Sequence, residues 1–226
     1  MRMSLGHSGI KLKFITKVNN PELLVVTPLL TGHKISKETK LGIKRNNVNF
    51  DWIAHEGQYN TAKNFQLGID NYKKIKRMPK YVIMIDKDIN PNRHMLDNMI
   101  KTLNSAEDHI AYTYANFRFV GSVNASFINR HFDPFQLMRA NFISSNSMMK
   151  SKLLEEIGGV VTDEKYKRLL DWCLWLKFLQ HGYHGVLCSK AYFEAHSDKK
   201  SVSAGDQLEY RTKYKLVVED FVKQLM

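Results

Sequence analysis

The chain has 226 residues, 43% of them hydrophobic and 25% charged, the balance of a folded globular protein, which excludes disordered and fibrous architectures. Its 34 Lys and Arg against 22 Asp and Glu give a net charge of +12, and residues 1–80 hold 15 of the basic and 5 of the acidic side chains, net +10. That bias suits a polyanionic partner (nucleic acid, an anionic membrane face or a phosphorylated glycan) or a merely solvated basic surface, and it excludes none of them.

Strand-like runs alternate with helical patterns, the mark of an α/β domain with a largely parallel sheet. Residues 23–30 (LLVVTPLL) read as a first buried strand ending at Pro28, and residues 51–54 as a second. Between 59 and 77, Tyr59, Ala62, Phe65, Ile69, Tyr72 and Ile75 recur every three or four residues, one face of a helix that Met78-Pro79 ends. Residues 81–85 (YVIMI) are an unbroken apolar, β-rich run, as expected of a strand buried on both faces. After Asp86-Lys87-Asp88, Asn90-Pro91 reads as a helix cap with proline at the first helical position, and Met95, Leu96, Met99, Ile100 and Leu103 form that helix's apolar stripe.

Residues 109–114 (HIAYTY) read as a further strand, and 115–140, aromatic and Asn-rich without a clear period, as loops and short strands. A helix rich in Leu and Trp runs from 169 to 180 and stops before Gly182, and a last helix from about 207 to 226 carries Tyr214, Val217, Val218, Phe221, Val222 and Leu225 on one face with lysines on the other. Nothing divides the chain, so one domain over 1–226 is expected. No apolar run approaches the ~20 residues that span a bilayer. No apolar stretch of a secretory signal follows Met1, Arg2 and Met3, and Cys173 and Cys188 have no disulfide or metal spacing, so a reducing, cytoplasmic setting is expected.

Two places could carry chemistry. Parallel sheets bind ligands at the carboxyl ends of their strands, where Asp86 and Asp88 emerge. Two carboxylates so close resist being both ionised and dry, and a divalent cation relieves the repulsion; oxygen ligands favour Mg²⁺ or Mn²⁺. A solvated turn with Asp as a cap is the plainer reading. Asp171, at the start of the apolar helix and beside Trp172, gains from the helix dipole and can serve either as a general base or as a cap. His196 alone reads as a surface or core histidine.

Their order along the chain resembles the family 2 glycosyltransferases, inverting enzymes of the GT-A fold. The matching segments are YVIMIDKDINP (81–91), LLEEIGGV (153–160), LLDWCLWLKFLQHG (169–182) and EAHSD (194–198), after Thr27-Pro28 of the first strand, so the likeness covers about residues 22–200. The resemblance implies a metal-dependent, inverting transfer from a nucleoside-diphosphate sugar, with a UDP-sugar as donor and Mn²⁺ or Mg²⁺ as cofactor. It implies that Thr27 and Pro28 line the base pocket, that Asp86 contacts the ribose, and that Asp88 binds the metal with His196 as a further metal or phosphate contact. It also makes Asp171 the base and sets Asn60 and Lys63 near the nucleotide sugar. The chain departs from the family at Leu170, where an acidic residue is common, and at His55 and Glu56, which stand where an Asp pair is usual.

For the acceptor, some viral members of such enzymes glycosylate hydroxymethylated pyrimidines in DNA, and in that case the setting is the host cytoplasm. Lys37, Lys40 and Lys44, which follow the first strand, are then expected to contact phosphates, while Lys73, Lys74, Lys76, Arg77 and Lys80 are expected to lie away from the catalytic rim. A bacterial cell-surface glycan is the alternative acceptor. The competing functions are a nucleotidyltransferase and a non-catalytic nucleic-acid-binding module, with Tyr112, Tyr114, Phe117, Phe119 and Arg118 as a stacking platform.

Overall fold

The computed structural model describes residues 11–121, 125–197 and 207–226. Met1–Met3 at the amino terminus and Asp198 of the late histidine motif lie outside the described residues. The parallel heart of the sheet is built from the apolar runs: β2 (Leu23–Leu30) lies between β3 (Phe50–Gly57) and β4 (Tyr81–Met84) and pairs in parallel with both. The first strand does not end at Pro28. The amide of Ile85 donates to the carbonyl of Val26, so even-numbered residues of β2 face β4, which has stopped before Pro28 is reached. A proline there forfeits no ladder bond.

A strand the sequence pattern did not mark, β1 (Lys11–Thr16), adds antiparallel to the outer edge of β3. Beyond β4, β8 (Met148–Lys150) is inserted antiparallel between β4 and the long β6 (Ile110–Gly121), which pairs in parallel with β9 (His184–Ser197). The short β7 (Ala125–Phe127) folds back on β6. The sheet is therefore mixed, and the largely parallel arrangement holds only for β3, β2 and β4 and for the β6–β9 pair. Long crossovers supply the parallel pairs, while the short returns after β6 can only be antiparallel.

Asn90-Pro91 is not a helix cap. Residues Ile89–Pro91 form β5, which pairs antiparallel with β9 through Ile89–Ala195, Asn90–Glu194 and Pro91–Phe193. A long-range edge pairing has overridden a local capping signal, and α3 (Met95–Asn104) begins four residues later. Its five stripe residues are all buried.

Helices cover both faces. α1 (Lys37–Lys44) and α3 close one core around Trp52, Ile83 and Phe193. α2 (Thr61–Lys73), α4 (Pro134–Arg139), α5 (Ser151–Glu156) and α6 (Leu170–Gln180) close the other around Tyr112, Trp172 and Trp175. The last helix, α7 (Gln207–Val217), continues through a wider turn to Leu225, and its apolar stripe packs on this second core. Tyr214 stacks on Trp172 at 5.2 Å, and Gln180 Nε2 donates to the carbonyl of Phe221 at 3.0 Å. No described helix is long and apolar enough to cross a membrane.

Candidate active site

The rim at the carboxyl ends of β2, β3 and β4 is where the chemistry-bearing residues gather. Asp86 leaves the sheet two residues after β4, and β8 delivers Asn146 beside it. The backbone amide of Asp86 donates to Asn146 Oδ1 (2.8 Å), while Asn146 Nδ2 donates to Asp86 Oδ2 (2.9 Å). Asn146 is itself buried. This two-bond clamp fixes one carboxylate oxygen. Burial pushes the Asp86 carboxyl up, the Asn146 bond opposes that, and the neighbouring Asp88 charge adds to it.

Asp171 stands in the first turn of α6. Its Oδ1 accepts from the amide of Trp172 (2.9 Å), and the Asn141 side chain also hydrogen-bonds the carboxylate. Its pKa is raised to about 6, chiefly by burial, with the charge of Asp86 adding a little to the rise. A helix amino terminus would lower a carboxyl pKa; here desolvation outweighs it. The segment that carries both asparagines is pinned to α6 by buried indoles, with Trp172 Nε1 donating to the carbonyl of Leu137 (2.7 Å) and Trp175 Nε1 to that of Ile143 (3.1 Å). The apolar Trp-rich helix thus both presents Asp171 and holds the loop that tunes its partner.

Asp88 differs from Asp86. Its side chain is 46% exposed and ion-pairs with Lys87 Nζ at 2.7 Å. The β5–β9 pairing brings His196 alongside, with the amide of His196 donating to the carbonyl of Asp88 (3.2 Å). His196 is exposed, and Glu194, two residues before it, bonds Asn90 and Arg118. Among the described residues no three His, Cys, Asp or Glu side chains converge as a ready metal cage. A carboxylate and an imidazole at one rim nonetheless suit a hard divalent cation that takes its other ligands from water and phosphate oxygens.

The remaining predicted residues divide. Pro28 is buried, and Thr27 is fully buried with its hydroxyl accepting from Trp52 Nε1 (3.1 Å), so the Thr27 side chain is occupied inside the core and only main chain is left for a base pocket. Asn60 caps α2, accepting from the amide of Lys63 (2.8 Å), and donates to the carbonyl of Thr162 (3.1 Å) and to Glu164 (2.6 Å). Lys63 lies over the Tyr59 ring at 4.1 Å. Gly158 and Gly159, both at φ +77°, end α5 and are structural: a Cβ on Gly159 would meet Gln66 Oε1 at 2.5 Å, and that oxygen accepts from the amide of Val160. Glu56, at the end of β3, accepts from the amide of Gly32 (3.0 Å).

The basic residues also separate. Lys76 pairs with the fully buried Asp51 (2.7 Å), Lys73 with Glu155 (2.8 Å), and Lys74 and Lys80 donate to Asn71 and Asn104. That cluster serves the fold. Lys37, Lys40 and Lys44 are exposed on α1, in no ion pair among the described residues. The stacking platform does not exist as a unit, because Tyr112 and Tyr114 are fully buried in the α6 core while Phe117 faces the opposite core. Asn146 and Asn141 were missed from sequence; a polar run (SSNS, 144–147) between apolar neighbours was the available signal.

No family model matches the chain, and no curated protein matches its sequence. Solved structures match its fold. Staphylococcus aureus TarS is similar at 13% identity and a TM-score of 0.59 over 87% of this chain, which spans 39% of that TarS chain. TarS 1–349 in complex with UDP-GlcNAc gives 11% identity and a TM-score of 0.61, covering 90% of this chain and 72% of that one. The mannosyltransferase PcManGT from Pyrobaculum calidifontis, in complex with GDP-Man and Mn²⁺, gives 15% identity and a TM-score of 0.53, covering 82% and 60%. At these identities the likeness is one of architecture, and the chain has the α/β, GT-A glycosyltransferase fold.

Proposed function

We propose that the protein is an inverting glycosyltransferase that takes a sugar from a nucleoside-diphosphate donor, a UDP-sugar, and acts in the cytoplasm. What supports this reading is the Asp171 carboxyl at the start of α6, pushed up to about 6 chiefly by burial, together with the Asn146-clamped Asp86 whose charge adds to that rise. A base of that pKa is ionised at neutral pH and still strong enough to accept a hydroxyl proton, the compromise that general-base catalysis favours. The acceptor oxygen forms a bond to the anomeric carbon as the bond from that carbon to the diphosphate breaks. The acceptor proton passes to an Asp171 oxygen, and the leaving electron pair stays on the diphosphate. Asp88 and His196 would hold Mn²⁺ or Mg²⁺, which supplies stabilisation of the diphosphate charge. Asp86, its oxygen aimed by Asn146, receives the ribose hydroxyls. Asn60 and Lys63 stand near the nucleotide sugar, and the main chain at Thr27 and Pro28 borders the base.

The exposed lysines of α1 favour a phosphate-bearing polymer as acceptor, either DNA with hydroxymethylated pyrimidines or a phosphorylated surface glycan. The test is a donor panel (UDP-glucose, UDP-GlcNAc, GDP-mannose) with Mn²⁺, assayed by mass spectrometry on hydroxymethylated DNA and on a phosphorylated surface glycan. A mass increase of one sugar on one acceptor, lost on chelation, is expected and identifies the acceptor. No donor turnover with any acceptor, together with no binding of UDP or GDP, would overturn the reading and leave a polyanion-binding module.

A further inference from the structure

We propose that Thr39, on α1, is a positioning residue that sets the direction of the Asp88 carboxylate. The inference rests on the reading of Asp88 as a cation ligand. Thr39 is fully buried although polar, and its hydroxyl is aimed at the Asp-x-Asp segment rather than along its own helix. Its Oγ1 lies 2.5 Å from the carbonyl oxygen of Ile89 and 3.0 Å from that of Lys87, the carbonyls on either side of Asp88. The hydroxyl proton goes to the nearer, Ile89. The Lys87 carbonyl accepts from the amide of Ser36 at 2.8 Å. Ser36 caps α1 by accepting from the amide of Thr39 (3.0 Å), and its Oγ lies 2.9 Å from Thr39 Oγ1. On the opposite side, the carbonyl of Asp88 itself accepts from the amide of His196.

Three successive carbonyls are thus held, the outer two by the start of α1 and the middle one by β9. With its main chain fixed on both sides, Asp88 has only its own side-chain torsions left to adjust, and it enters the rim from one direction. An ordinary helix-start threonine would be satisfied by its cap. This one commits its hydroxyl across fifty residues of sequence to the segment that carries the metal carboxylate. Partners of this kind, which orient a ligand without touching the ion, typically contribute about 10–100-fold to metal affinity.

The experiment is Mn²⁺ titration of the intact chain in the presence of UDP, followed by electron paramagnetic resonance of free Mn²⁺, on the parent, Thr39→Val, Thr39→Ser and Asp88→Asn. Thr39→Val keeps the shape and removes the hydroxyl; about tenfold weaker Mn²⁺ binding is expected, with Thr39→Ser restoring it. Faster hydrogen exchange over residues 86–91 of the metal-free Thr39→Val protein is expected beside it. Parent-like Mn²⁺ affinity in Thr39→Val, with Asp88→Asn defective, would overturn the role of Thr39 and leave Asp88 as a ligand. Parent-like affinity in Asp88→Asn would instead overturn the metal reading itself. If Thr39→Val does not fold, Ser36→Ala carries the test: at least about threefold weaker Mn²⁺ binding supports the clasp, and unchanged binding refutes it.

Discussion

Replacing Asp171 by Asn separates the charge of this carboxylate from its shape. Its folded pKa of about 6 stands above the 3.8 of an unperturbed aspartate, so ionising it costs free energy in the folded state. The sign follows from linkage: the stability associated with this group is fully present below pH 3.8 and is lost as pH rises through about 6. A shift of this size corresponds to about 3 kcal/mol at about 1.36 kcal/mol per pKa unit. Partial solvent access at the rim and the hydrogen bonds from Trp172 and Asn141 that Asn accepts less well reduce the visible gain to on the order of 1–2 kcal/mol. Asp171→Asn is therefore expected to be as stable as the parent or more so at pH 7.5, and to lose that advantage at pH 4.

Urea denaturation at the two pH values measures this difference through the midpoint at unchanged slope. The same variant should transfer sugar about 10²–10⁴-fold more slowly, the range for loss of a general base. Parent turnover should fall with unit slope below about pH 6, where Asp171, its pKa raised chiefly by burial, becomes protonated and can no longer accept the acceptor proton. A variant less stable than the parent at pH 7.5 and equal to it at pH 4 would refute the reasoning, because the carboxylate charge would then be stabilising. Equal losses of donor affinity and rate would make Asp171 structural.

Asp88→Asn should abolish Mn²⁺-dependent UDP binding and turnover while leaving the melting curve unchanged, since the exposed pair with Lys87 contributes only about 0–1 kcal/mol; calorimetric titration with UDP and Mn²⁺ checks it. Asn146→Ala strips both bonds from Asp86 and leaves its amide unpaired, so a stability loss of about 1–3 kcal/mol in urea and weaker UDP binding are expected together. Replacing Lys37, Lys40 and Lys44 by Ser should flatten the salt dependence of DNA binding, by about 0.9 in log–log slope for each phosphate no longer neutralised, at unchanged UDP affinity. Fluorescence anisotropy across a salt series reads it, and an unaltered slope would remove α1 from the acceptor surface. Gly159→Ala, at φ +77° and against Gln66, should cost about 1–3 kcal/mol without altering UDP affinity in the folded fraction.

Period and composition alone determined the parallel strands β2, β3 and β4 and the stripes of α2, α3 and α6, because burial and helix or strand period are written into neighbouring residues. β1 escaped notice because KLKFIT is a short edge run with lysines in it, and β5 because its local cap signal is stronger than its three-residue pairing. What tertiary structure decided is how the acids differ. Asp86 and Asp88 look alike in sequence, yet Asn146, sixty residues away, clamps the first, while Lys87 and β9 leave the second at the solvent. The basic excess of residues 1–80 split in the same way, Lys76 being drawn in by the buried Asp51 while Lys37, Lys40 and Lys44 stayed outside. Charge and desolvation depend on distances through space, and those distances do not exist until the sheet brings remote segments together.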